Sequence, residues 1–123
     1  VTSATWWSPA VALKSDDVFG STQAFVQDFQ ARGEKGEPDY VHASAAAALI
    51  AVQAAVEKAG TLDKAKVRDA LAALEIRTFY GPIDFTGNGM NAARELPIIQ
   101  VQGGKAVVLA PEALRQGALR PVK

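Results

Sequence analysis

Pro38–Gly60 reads PDYVHASAAAALIAVQAAVEKAG, and its reading decides the architecture of the whole chain. Alanine is the best helix former and is the commonest residue of the stretch, so a helix is expected over about Asp39–Ala59, closed by Gly60 as a C-terminal cap. Between Ala43 and Val56 the polar side chains are Ser44 and Gln53 alone. A bilayer span needs roughly 18 or more predominantly apolar residues, and this stretch is too short and too rich in alanine for that. The expected element is a helix buried on most sides, packed closely on its neighbours through small side chains.

On the C-terminal side, Thr61 or Asp63 is expected to cap a further helix with Val67, Ala70, Leu71 and Leu74 as its buried stripe. Lys64, Lys66, Arg68 and Asp69 would face water. The pattern then turns to β. Thr78–Phe85 is an extended run broken by Gly81-Pro82, Gly87-Asn88-Gly89 makes a loop, and Leu96–Gln102 with Lys105–Leu109 forms a hairpin around Gly103-Gly104. Ala106 and Val108 point one way and Val107 and Leu109 the other, so the second hairpin strand is apolar on both faces. Such a hairpin needs further sheet and helices to cover it. The chain offers no second long helix–strand set to do so, and is expected to depend on a partner segment.

On the N-terminal side, Val1–Pro9 reads as the end of a strand stopped by Ser8-Pro9. Ser15, Asp16 and Asp17 are expected to cap an amphipathic helix whose buried face carries Val18, Thr22, Phe25, Val26 and Phe29. It would end near Gly33, with a polar loop following as far as Pro38.

Composition excludes several classes of function. Thirteen basic residues balance thirteen acidic ones, so no net field favours nucleic acid or an anionic membrane. With no cysteine and one histidine, thiol catalysis, disulfides and a metal centre are not expected. No cofactor is implied. Adjacent Asp16-Asp17 cannot converge on one point as catalytic carboxylates, and Gly87-x-Gly89 lacks the helix and Lys or Ser/Thr of a phosphate cradle. No serine stands in a G-x-S-x-G context. No catalytic residue is assigned, and the reading is that of a binding protein without enzymatic chemistry.

The series Pro38-Asp39-Tyr40, Ala59-Gly60, Asp63, Val67-Arg68-Asp69-Ala70-Leu71, Tyr80-Gly81-Pro82-Ile83 and Gly87-Asn88 resembles the C-terminal part of the periplasmic solute-binding proteins of branched-chain amino acid type ABC transporters. The resemblance runs over almost the whole chain and keeps its order. It implies an α/β fold that is a portion of a two-lobed type I periplasmic binding protein, with three-layer α/β/α lobes and a C-terminal β-hairpin. Residues 1–9 would be a crossover strand between lobes, 10–95 the C-terminal half of one lobe, and 96–123 a return segment carrying the hairpin to the other lobe. The implied partners are the remaining N-terminal part of the same protein, a small-molecule solute, and an ABC permease in the membrane. The implied location is periplasmic, or extracellular and lipid-anchored, with no signal peptide in this chain. A ligand-sensing domain of a receptor or regulator is the alternative role.

Five residues are candidates for solute contact. Trp6 and Trp7 on a strand would face opposite sides, one in the core and one offering a stacking face to a ligand. Tyr40 opens the alanine-rich helix, where free backbone N–H groups and the positive dipole end suit a carboxylate or carbonyl. The resemblance places a ligand-contacting residue at Tyr40 or its neighbours Val41 and His42. The plainer readings are a tyrosine that covers the helix end and a histidine that packs or meets solvent.

Overall fold

The computed structural model describes residues 1–33 and 35–121. Glu34 of the expected polar loop, and Val122-Lys123 of the expected return segment, lie outside them. The described elements run β1 Thr2–Ala4, α1 Thr22–Ala31, α2 Tyr40–Ala59, α3 Lys64–Ala72, β2 Glu75–Thr78, β3 Gly81–Asp84, β4 Ile98–Gln102 and β5 Lys105–Ala110, followed by a 3₁₀ turn at Glu112–Leu114. Two antiparallel sheets form, one ordered β1-β4-β5 and the other the β2–β3 hairpin.

Helix α2 joins α3 and the β2–β3 hairpin into one packed unit. Its buried residues are Ala43, Ala47, Ala51 and Ala55, a spacing of four that puts every one on a single face. That face packs on α3 and β2, while Lys58 Nζ donates to the Ala73 carbonyl just past α3 at 2.8 Å. Gly60 closes the helix at φ 64°, a left-handed geometry that glycine adopts without a Cβ penalty. The expectation of burial on most sides is corrected: Val41, Leu49 and Val52 on the remaining surface are 54%, 72% and 48% exposed. By length and composition α2 is apolar enough to cross a membrane, yet its alanine stripe is fitted to protein.

The main aromatic cluster sits at the N-terminal half of α2. Phe25 of α1 stacks on Phe79 with ring centroids 4.1 Å apart. Trp7 meets both edge-on at 5.8 and 6.3 Å, and Phe19 does the same at 5.1 Å. Such geometries add about 0.5–1.5 kcal/mol per pair beyond area burial. The Phe79 backbone is equally well held. Its carbonyl accepts from buried Thr22 Oγ1 at 3.0 Å and from Trp7 Nε1 at 3.4 Å, and its N–H donates to Asp17 Oδ2 at 2.6 Å.

Three local expectations are corrected. Helix α1 begins at Thr22 behind an N-cap at Ser21, whose hydroxyl accepts from Ala24 N. The Asp17 carboxylate instead accepts from Ser15 Oγ and from the N–H groups of Phe19 and Gly20, tying its own loop while reaching Phe79. Val18 consequently lies 80% exposed and off the helix face. Strand β1 ends at Ala4 because Thr5 Oγ1 both donates to the Trp7 carbonyl and accepts its N–H, turning the chain before the tryptophans. The Thr78–Phe85 run is divided by a hairpin that starts at Glu75: Thr78 ends the first arm, Gly81–Asp84 is the second, and the turn at Phe79-Tyr80 is held by Thr78 Oγ1, which donates to the Gly81 carbonyl.

The C-terminal hairpin forms about Gly103-Gly104 as expected and gains β1 as a third strand, Thr2 opposite Gln100. The chain covers part of it with its own tail. Buried Gln100 exchanges two hydrogen bonds with the Arg120 backbone, and Gln102 Nε2 donates to the Ala118 carbonyl. Gln116 joins β5 through its backbone N–H and its side-chain oxygen on Val108, and its amide nitrogen donates to the Ala10 carbonyl. Val108 is fully buried, whereas Ile98 and Val101 of β4 remain exposed.

Candidate functional site

The start of α2 is built around Asp39. Its Oδ1 accepts from the N–H groups of Val41 at 2.9 Å and His42 at 3.1 Å, an N-cap of the usual kind. His42 occupies the third helical position, where a capping box normally carries Glu or Gln. His42 Nδ1 lies 2.6 Å from Asp39 Oδ1 and 3.3 Å from the Asp39 backbone nitrogen. One nitrogen cannot donate and accept at once, and the shorter contact to a carboxylate favours the proton on Nδ1. Nε2 has no hydrogen-bond partner among the described residues.

The expectation of free helix-end N–H groups awaiting an anion is therefore corrected. A resident carboxylate already takes two of the donors and puts negative charge where a ligand carboxylate would sit. The exposed groups left around it are the Tyr40 side chain, Val41 and the His42 ring edge, each about half exposed. This set suits an apolar or aromatic contact, and the Asp39 carboxylate beside it favours a hydrogen-bond donor such as an ammonium or hydroxyl group over an anion.

Trp7 and His42 are joined by one aromatic row, with centroids 5.8 Å from Trp7 to Phe25, 6.4 Å from Phe25 to Phe29 and 5.0 Å from Phe29 to His42. The adjacent tryptophans do differ as expected in fate, although a turn rather than strand alternation separates them. Trp7 is 2% exposed in the core and Trp6 56% exposed at the surface. The five candidate residues do not share a pocket. A 660 Å³ groove runs between α2 and the β2–β3 hairpin past Ile50, Gln53, Glu57, Glu75 and Asp84. A 200 Å³ pocket has Trp7 and Tyr80 in its wall. Tyr40, Val41, His42 and Trp6 line neither. Among the described residues no cluster of His, Asp and Glu could hold a metal ion.

The Asp39 carboxyl sits below the ordinary carboxylate value of 3.8, chiefly because the His42 backbone N–H donates to its charged form. Asp84 is held low in the same way by the Thr86 hydroxyl. A folded pKa lowered below the unfolded one stabilises the fold fully above the unfolded value, and that stability is lost as pH falls through the folded value. Asp39→Asn keeps a capping oxygen without the titration. Its unfolding midpoint is expected to fall less steeply than that of the unsubstituted protein between about pH 5 and pH 3. Parallel thermal melts across that range check this, and identical slopes would contradict it.

Two features escaped the sequence reading, the Asp17–Phe79 tether and a guanidinium stack of Arg94 on Tyr80 at 3.8 Å. Both join segments with no local signature. Among known families, the model described as periplasmic binding protein matches residues 1–106. No solved structure matches the chain.

Proposed function

We propose a solute-capturing role in membrane import for this chain, on the premise that it belongs to the periplasmic binding protein family, type I and of the branched-chain amino acid class. Members of that family bind ligands without catalysing reactions and are typically periplasmic or extracellular. The α/β fold, with antiparallel sheets and a C-terminal hairpin, is that of a partial domain of the family. The family match over residues 1–106 is the observation that carries the reading.

In the proposed arrangement the remaining N-terminal part of the protein completes two lobes, and a small amino acid or related carboxylate is held between them. Residues 1–9 cross between lobes, 10–95 build half of one, and 96–123 return to the other. Tyr40, Val41 and His42 at the start of α2, with Trp6, furnish the contacts from this side, while the candidate Trp7 is 2% exposed and belongs to the core. The exposed apolar surface of α2 and the open face of β4 support the idea of a lobe completed by further chain. The acidic Asp39 cap supports an ammonium-bearing solute, whose carboxylate would be held by the other part. Solute contacts made only in the closed form would shift the population toward closure, and an ABC permease would receive the cargo.

A thermal-shift screen of the complete protein against amino acids and aromatic carboxylates tests the role. A ligand of the folded state alone adds about 2.7 kcal/mol at a hundredfold excess over Kd. A raised midpoint with either class supports solute capture. No rise with either overturns it in favour of a sensor for another ligand.

A further inference from the structure

We infer that the 200 Å³ pocket behind the β2–β3 turn is a second binding site, for a short aliphatic monocarboxylate, and that Arg94 holds the carboxylate. The pocket is walled by Trp7, Val11, Leu13, Pro97 and Leu114, drawn from three separate segments of the chain. Its size is below the ~300–1,000 Å³ of drug-sized sites, which limits an occupant to a few carbon atoms. The walls are almost wholly apolar, so such an occupant gains by burying hydrocarbon.

Arg94 is the cation in this wall. Its guanidinium lies over the Tyr80 ring with Cζ 3.8 Å from the centroid. Gly81 is also near, an added Cβ there standing 3.4 Å from Arg94 Nε. The guanidinium therefore lies close against the turn. Among the described residues Arg94 makes no ion pair, and none of its N–H groups finds a protein acceptor. Arg32, Arg68 and Arg115 each meet a carboxylate, whereas Arg94 is stacked on a ring instead. A planar guanidinium fixed by stacking keeps its fork of donors pre-organised for a bidentate carboxylate. Glu95, also in the wall, is exposed toward solvent and leaves the apolar interior uncharged.

Site and occupant are separate from the solute contacts proposed at α2, so failure here leaves that reading standing. The test is calorimetric titration of the complete protein with isovalerate and with its neutral amide, isovaleramide. Alongside it, the Trp7 indole N–H resonance is followed, identified by its disappearance in Trp7→Phe. The expected result is saturable isovalerate binding that moves the Trp7 resonance, with the amide at least tenfold weaker. Arg94→Gln is expected to weaken isovalerate at least tenfold and leave the unfolding midpoint in place. If Arg94→Gln fails to fold, the acid-against-amide contrast on the unsubstituted protein decides alone. Absence of saturable binding, equal binding of acid and amide, or an unmoved Trp7 resonance would overturn the assignment.

Discussion

Trp7→Ala is expected to cost about 3–5 kcal/mol of stability, the range for removing a large aromatic from a packed core, while Trp6→Ala stays within about 0.5 kcal/mol. The two residues are neighbours in sequence and identical in chemistry, so the contrast isolates environment. Trp7 is 2% exposed, wedged edge-on against Phe25 and Phe79, and donates its indole N–H to the Phe79 carbonyl. Its removal leaves a cavity among rings that cannot collapse freely, because Phe79 is pinned by Thr22 and Asp17. Trp6 is 56% exposed and loses little on truncation. Urea unfolding of both variants measures the difference. Equal destabilisation would contradict the placement of the aromatic cluster, whereas a solute-affinity loss confined to Trp6→Ala would support its proposed contact role.

Leu49→Asp is expected to separate the chain's own fold from the larger one. Leu49 lies on the outward surface of α2 at 72% exposure, opposite the alanine stripe. On the 123-residue chain the substitution exchanges one exposed side chain for another, a change within about 0.5 kcal/mol. If the remaining part of the protein covers this surface, the same substitution buries an unpaired carboxylate and deletes a packed leucine. The complete protein should then lose at least about 3 kcal/mol. Denaturation of the complete protein gives the answer. A small change there would show that α2 keeps this surface free.

What the sequence announced most clearly lay in segments whose signals are local. Alanine runs, Gly60 and Asp63 delimit α2 and α3 because caps and propensities act within one turn. Gly103-Gly104 places the hairpin for the same reason. The start of α1 was not legible, since Ser15, Asp16, Asp17 and Ser21 are all competent caps. The choice among them is made by Phe79, 62 residues away, whose N–H claims Asp17. The β2–β3 turn was hidden likewise, because Phe79-Tyr80 is no turn-former and tertiary packing of both rings overrides propensity.

The candidate site divides in the same manner. Asp39 and His42 stand at positions where a helix start needs capping groups, so their pairing was within reach of sequence reasoning through the capping box. The consequence for ligand chemistry was not, because it depends on the 2.6 Å approach of Nδ1 to Oδ1. Nor could spacing reveal the aromatic row from Trp7 to His42, which joins three segments through contacts between rings.

Small-angle X-ray scattering of the complete protein, alone and with a saturating mixture of amino acids and benzoate, tests the clamp most directly. Closure of two lobes on a bound solute brings their mass together, so the radius of gyration is predicted to fall in the mixture. An unchanged radius at concentrations that raise the thermal midpoint would contradict capture by closure.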